Sequence, residues 1–294
     1  MAPQFTTNPL RHSPLHLSPV ALTLLVPLWA RAQESLRADP VLYDPSALEV
    51  ANALDFDFSL LRRAQATQLG CCVRGALVDT WVRRFLRRHP GGTVVELGAG
   101  LNDRFRRVDN GRVNWVSVEL PEVAELRRHF FPEMPRRRLV AASALQPDWM
   151  HAVREIGNGP VFIASEGVLV YWTETEVQRL FGMIAQGLPG ARLAFDAMSP
   201  LVLRHQSHHD AMRHFAARFT WSVRKARDVE AWARGARVRI SRSFPRMIFA
   251  RSGRLPPLLR WFGPGLGFLY RPLFSAYTIN LIDFASPNPG NHAD

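Results

Sequence analysis

Short apolar runs and longer amphipathic stretches alternate from residue 93 to residue 197. Residues 93–97, 113–119, 138–142, 161–165 and 191–197 read as strands, and residues 121–130, 148–156 and 173–186 as the helices between them. Thr173 and Glu176 give the last helix a capping-box start. Strands with near-continuous apolar character are buried on both faces. The alternation therefore predicts a mostly parallel sheet covered by helices on both sides. Upstream, residues 21–37 form a helix with Leu22, Leu24, Leu25 and Leu28 on one face. Asp39-Pro40 and Asp44-Pro45 punctuate turns and helix starts. Residues 69–88 form a strongly periodic helix (Val73, Leu77, Val78, Trp81, Val82, Phe85, Leu86) that stops at Pro90-Gly91-Gly92. Beyond Pro200 the pattern predicts a His-rich helix over 201–215, a sixth strand over 220–225, a short helix over 228–232 and a final strand over 275–284. The expected organisation is one integrated domain: a helical extension over residues 1–90 and an α/β core over 91–294, with substrate-side segments inserted at about 200–274.

The loop after the first strand, Gly98-Ala99-Gly100, carries the chemistry. Glycines there let the main chain approach a ligand, and Glu119, at the tip of the second strand and 21 residues after Gly98, can accept hydrogen bonds from ribose hydroxyls. Where a dinucleotide loop has its third glycine this chain has Asp103, which would oppose a pyrophosphate. Glu96, Asp103 and Glu119 instead favour a cationic adenosyl donor, S-adenosylmethionine, over NAD. The expected rim at the strands' C-terminal ends holds Gly98, Gly100, Glu119, Ser143 and Glu166.

Composition modifies this picture in three places. The 294 residues carry a net charge of +12, yet Lys225 is the single lysine among 37 basic residues, a usage that fits compositional bias as well as a polyanion partner. Arg83, Arg84, Arg87 and Arg88, and the run Arg136 to Arg138, read as solvated faces. Cys71 and Cys72 are adjacent in a helix without metal-ligand spacing, which suits a reducing, cytoplasmic setting. The apolar stretch over residues 17–30 is interrupted by Pro19 and Pro27 and is too short to span a bilayer, and Arg31 spoils a leader-peptide cleavage site.

Three ordered motifs then resemble the leucine carboxyl methyltransferase family, which includes bacterial O-methyltransferases of polyketide tailoring. The run from Val94 to Arg106 is similar to its first motif, Glu119-Leu120-Pro121-Glu122-Val123 to its acidic second motif, and the run from Phe162 to Tyr171 to its fourth-strand motif. Thr23 to Ala32 resembles its N-terminal helix. The resemblance implies a Rossmann-like class I methyltransferase with a seven-stranded sheet and a lid-like C-terminal insertion. It further implies that Gly98 and Gly100 pass under the methionine moiety, Glu119 binds the ribose, and Ser143 and Ala144 lie beside the adenine. Glu166 would meet the ammonium, Arg74 the carboxylate, and Arg31 would stand near the cofactor; Glu96 joins this set. Glu119 replaces the usual Asp of the family, and Asn102 another.

The acceptor is expected to be a small-molecule carboxylate or hydroxyl. A hydroxyl benefits from a base, for which His205 and His209, placed on one helical face, are the candidates beside His208 and His214. Residues 255–274, rich in Pro, Gly and aromatics, suit a substrate lid, a packed subdomain, or a weak membrane-surface contact through Trp261, Phe262, Phe268 and Tyr270. Rival readings are a cofactor-binding protein without transferase activity, an NAD-dependent oxidoreductase, and a basic nucleic-acid-binding module, though no nucleic-acid partner is expected.

Overall fold

The computed structural model describes residues 12–243 apart from residue 15, together with residue 247 and residues 276–286. Seven strands form one sheet in the order β3-β2-β1-β4-β5-β7-β6. They are β1 (Thr93–Leu97), β2 (Asn114–Glu119), β3 (Arg137–Ala141), β4 (Val161–Ser165), β5 (Arg192–Met198), β6 (Arg237–Ser243) and β7 (Tyr277–Asp283). The first five are parallel, and β7 runs antiparallel between β5 and β6. From β1 the chain builds outward through β2 and β3, then returns to place β4 on the other side of β1. That reversal opens a crevice between the loops after β1 and β4, the point where open α/β sheets bind ligands.

Helices cover both faces because successive strand residues point to opposite sides. Val95, Leu97, Val116 and Val118 pack with α7 (Trp149–Ile156) and α8 (Glu174–Gly187). Val94, Trp115 and Phe162 pack with α4 (Gln65–Arg88) and α5 (Arg104–Val108). A third core gathers α1 (Pro19–Leu22), α2 (Leu25–Ser35) and α3 (Pro45–Ala53) against Leu101 and against Val123 and Leu126 of α6 (Pro121–Arg128). Asp44 caps α3 through the Ala47 amide, and Thr173 and Glu176 form the expected capping box on α8. Among the described residues no helix is long and apolar enough to cross a membrane.

Two expectations beyond β5 change. The predicted helix over 201–215 ends at Arg204 as α9 (Pro200–Arg204) and continues as 3-10 turns. Side chains take the helical hydrogen bonds there: Gln206 bonds Leu203 O and Phe219 O, and His209 Nδ1 accepts the amides of Ala211 and Met212. His205 and His209 consequently share no helical face. Residues 220–225 form no strand, since the amides of Thr220 and Trp221 both go to one carbonyl, Val170 O, rather than into a ladder. The sixth strand is β6, whose alternating Val238 and Ile240 stand between exposed arginines at the sheet edge. Most of residues 244–275, including the predicted lid and Trp261, Phe262, Phe268 and Tyr270, lie outside the described residues.

Candidate functional site

Five residues after the start of β1 the backbone turns through two left-handed glycines, Gly98 at φ +67° and Gly100 at φ +56°. The Gly98 amide still joins the ladder by donating to Val118 O at 2.9 Å, so the turn begins at the strand tip. A Cβ on Gly98 would lie 2.5 Å from Val168 Cγ2, and one on Gly100 would lie 3.1 Å from Leu24 Cβ. Main chain is thereby pressed between the loop after β4 and the N-terminal helices. Arg127, buried on α6, fastens this loop from below by donating to Gly100 O and to Asn102 O, the latter at 2.9 Å.

Glu119 turns back over the loop and accepts the Gly100 amide at 2.7 Å. Burial pushes its carboxyl up to about 8, against the opposing pull of Arg127 and the Gly100 amide. Ser143 and Ala144 follow at the tip of β3, where Ser143 Oγ accepts the Leu145 amide and Ala144 O accepts the Trp149 indole. Glu166, at the tip of β4, is held by Arg104 and by Arg74 Nε at 3.3 Å. Arg74 also reaches Asp196 Oδ2 at 3.1 Å and the Tyr277 hydroxyl at 2.8 Å. Arg31 bonds Asp44 and Leu101 O, both at 2.9 Å.

All nine predicted residues (Arg31, Arg74, Glu96, Gly98, Gly100, Glu119, Ser143, Ala144 and Glu166) line one cavity of about 630 Å³. That volume lies within the usual range of small-molecule sites, about 300–1,000 Å³. Much of the remaining lining is apolar and aromatic: Leu24, Pro27, Tyr171, Trp172, Met212 and Phe219, with Tyr171 and Phe219 rings 5.4 Å apart. His208, His209 and Asp210 complete it, whereas His205 is exposed and bonded to Leu201 O. With two amide protons directed at His209 Nδ1, that nitrogen is the unprotonated one, although Asp210 Oδ1 lies 3.5 Å away. Asp210 spends its carboxylate on Thr67 instead.

Two acids play other parts than their position suggested. Asp103 is paired with Arg137 at 2.9 Å and with Ser46, so its charge is neutralised away from the cavity. Glu96 lines the cavity but is bound by Arg104 at 2.7 Å and by the Trp115 indole. A buried carboxylate needs such a partner to remain ionised. Of the run Arg136 to Arg138, Arg136 and Arg138 sit on the solvated face as expected, in exposed pairs with Asp109 and Glu155, and only Arg137, paired with Asp103, is buried. Reading the sequence missed Arg104, Arg127, Asp196 and Tyr277. A charge inside an apolar strand, as in Leu193-Ala194-Phe195-Asp196, is the signal that could have found Asp196.

Residues 25–185 match the family model of the leucine carboxyl methyltransferases. The chain belongs to that family. Membership makes it an S-adenosylmethionine-dependent methyltransferase. The tetracenomycin polyketide synthesis O-methyltransferase TcmP of Streptomyces glaucescens is 32% identical over 253 residues, 86% of this chain and 92% of that protein. The S-adenosyl-L-methionine-dependent methyltransferase dpfgK of Gibberella zeae is 27% identical over 271 residues, covering 85% and 88% of the two chains. Among solved structures, a protein of the DUF574 family from Streptomyces avermitilis superposes with a TM-score of 0.54 at 13% identity, over 88% of this chain and 97% of that one. The family cofactor fits the residues present. Left-handed glycines expose main chain to the cavity, the glutamate tips Glu119 and Glu166 suit a ribose and an ammonium, and the buried Asn102 Oδ1, on the cavity wall, has no hydrogen-bond partner among the described residues.

Proposed function

We propose that this enzyme methylates an oxygen of a small molecule, with a carboxylate as the acceptor. The supporting observation is that the nine donor-side residues share one cavity with a set of apolar and aromatic side chains. On the donor side Gly98 and Gly100 pass main chain under the methionine moiety, Glu119 holds the ribose, and Ser143 and Ala144 flank the adenine. Arg74 meets the α-carboxylate through a guanidinium suited to bidentate binding, Glu166 meets the ammonium, and Arg31 braces Leu101 from the N-terminal side. The bound donor supplies an electrophilic methyl group on a sulfonium. The chain's own work is alignment and exclusion of water, and orientation of this kind supplies about 7–11 kcal/mol in favourable cases.

Carboxylate is favoured because it needs no base. Of the two histidines on the acceptor wall, His209 is the less exposed, and its Nδ1 lone pair is already used by two amides, leaving Nε2–H as a donor. Tyr171 is a neutral phenol, pushed up to about 12 by burial. A hydroxyl acceptor is the second reading, with His208 as its base. The helical extension and the core act as one unit in this account, because Leu24, Pro27 and Arg31 form part of the same cavity. Free thiols at Cys71 and Cys72 support a reducing, cytoplasmic setting.

Transfer of labelled methyl from S-adenosylmethionine to a panel of aromatic acids and phenols tests the proposal. The expected product releases methanol in mild alkali, as an ester does. An alkali-stable product points to a hydroxyl acceptor, and no transfer to any acceptor by a donor-binding enzyme counts against small-molecule O-methylation.

A further inference from the structure

Between Glu230 and Asp283 the chain runs for 52 residues with nine arginines and no acid. That stretch alone contributes +9 of the net charge of +12. Elsewhere about one residue in ten is acidic, so about five acids would be expected in a segment of this length. A chain-wide preference for arginine over lysine explains the choice of base and not the local absence of acids. The same stretch interleaves its arginines with Trp261, Phe262, Phe268 and Tyr270. Bases and aromatics without acids suit a membrane surface.

The described part of this stretch belongs to a basic face. Edge strand β6 exposes Arg237, Arg239 and Arg242, and the last turns of α4 expose Arg84, Arg87 and Arg88. The three α4 arginines and Arg192 line a groove of about 400 Å³ whose other described residues are apolar, among them Phe85, Ile240 and Leu281. Asp283 pairs with Arg192 and Arg239, and Glu230 with Arg237. Asp109 and Glu155, which precede β2 and β4 at the same end of the sheet, are taken by Arg136 and Arg138. Arg84, Arg87, Arg88 and Arg242 have no acidic partner among the described residues. Two acids set against seven arginines leave the face strongly positive. Residues 244–275 add five arginines and no acid, and Asp294 is the one acidic residue outside the described residues.

The groove shares no residue with the cavity. Helix α4 carries Arg74 to the cavity and ends at Arg88, about 21 Å farther along its axis. We infer that the face formed by the end of α4 and the sheet edge at β6 docks the enzyme on an anionic lipid membrane. Guanidinium groups take lipid phosphates bidentately, and the apolar lining of the groove suits the carbons beneath a headgroup. Nucleic acid fits less well, because the rings that line the groove, Trp81, Phe85 and Phe162, are buried and give bases nothing to stack on. An acidic protein surface would use the arginines and leave the apolar groove unfilled. Each arginine brought against an anionic leaflet strengthens binding about fivefold.

Co-sedimentation of the full chain with lipid vesicles tests this. The wild-type protein should bind vesicles of mixed phosphatidylglycerol and phosphatidylcholine, come off as salt rises, and ignore vesicles of phosphatidylcholine alone. A variant carrying Arg84→Gln, Arg87→Gln and Arg88→Gln should bind the anionic vesicles about a hundredfold more weakly. Its unfolding midpoint and its affinity for S-adenosylmethionine should match the wild type. A control carrying Arg37→Gln, Arg62→Gln and Arg63→Gln removes as much charge from exposed positions of the N-terminal extension. It should bind the same vesicles within about twofold of wild type, since charges beyond a Debye length are screened. Equal losses in the two variants, or equal binding to anionic and neutral vesicles, overturns the inference. Failure of the wild-type protein to sediment with anionic vesicles overturns it as well. Salt-sensitive retention on duplex DNA or on polyglutamate would then assign the face to a nucleic acid or to an acidic protein.

Discussion

Burial holds a proton on Glu119 until about pH 8, and that proton matters to both stability and binding. The native group is protonated between its ordinary value of 4.5 and about 8, whereas the unfolded one is not. The stabilisation is thus fully present below the ordinary value and is lost as pH rises through about 8. Without ligand, thermal stability should decline across that window, and Glu119→Gln should flatten the decline. Binding has the opposite sign, because an ionised carboxylate accepts ribose hydroxyls better than an acid does. Donor affinity should rise with pH toward 8 in the wild-type protein and not in Glu119→Gln, as read by titration at a series of pH values. Arg127 offers a second test at this scale. Replacing it with alanine strands the half-buried Gly100 carbonyl and the buried Asn102 carbonyl, and chemical denaturation should show a loss of about 3 kcal/mol.

At the scale of elements, the loops at the strand tips are held by close approach. Gly98→Ala combines a left-handed backbone with a Cβ 2.5 Å from Val168, so it should lower stability by more than about 2 kcal/mol and weaken donor binding at least tenfold. Gly111→Ala has the same backbone strain at φ +77° with open space around it. It should cost about 1 kcal/mol and leave donor binding as it was, a contrast that thermal unfolding with and without donor would show. Strands β1, β2, β4 and β5 were legible because burial on both faces makes each a nearly continuous apolar run, whereas edge strand β3 showed only through Leu139-Val140-Ala141. Strand β6 was not, since Arg237, Arg239 and Arg242 break its apolar pattern and only the pairing with β7 defines it. The helix expected over 201–215 failed for a local reason: Gln206 and His209 side chains compete for its backbone groups. Of the cavity residues, Glu96, Gly98, Gly100, Glu119, Ser143 and Glu166 were legible from the glycine loop and the strand tips, and Arg31, Arg74 and Ala144 only through the family resemblance. Their pairing was not, because Asp79, Arg104 and Asp196 meet only after α4, α5 and β5 are stacked.

For the whole molecule, the buried arginines answer part of what the net charge of +12 asks. Arg31, Arg74, Arg104, Arg107, Arg127 and Arg137 are interior groups tied to carboxylates or carbonyls, while Arg84, Arg87 and Arg88 remain on the surface of α4. Donor binding should stabilise the fold as a unit, since the cavity joins the N-terminal helices to the sheet. At about one hundred times its dissociation constant S-adenosylmethionine should add about 2.7 kcal/mol, or about 5–10 °C in the unfolding midpoint. NAD at the same concentration should leave the midpoint unchanged. The most direct test is a crystal structure of the protein with S-adenosylmethionine. The account predicts ribose hydroxyls within hydrogen-bond distance of Glu119, the α-carboxylate on Arg74, the ammonium beside Glu166 and the methyl group facing Tyr171 and Phe219. Donor density anywhere other than between the Gly98–Gly100 turn and Glu119 would contradict it.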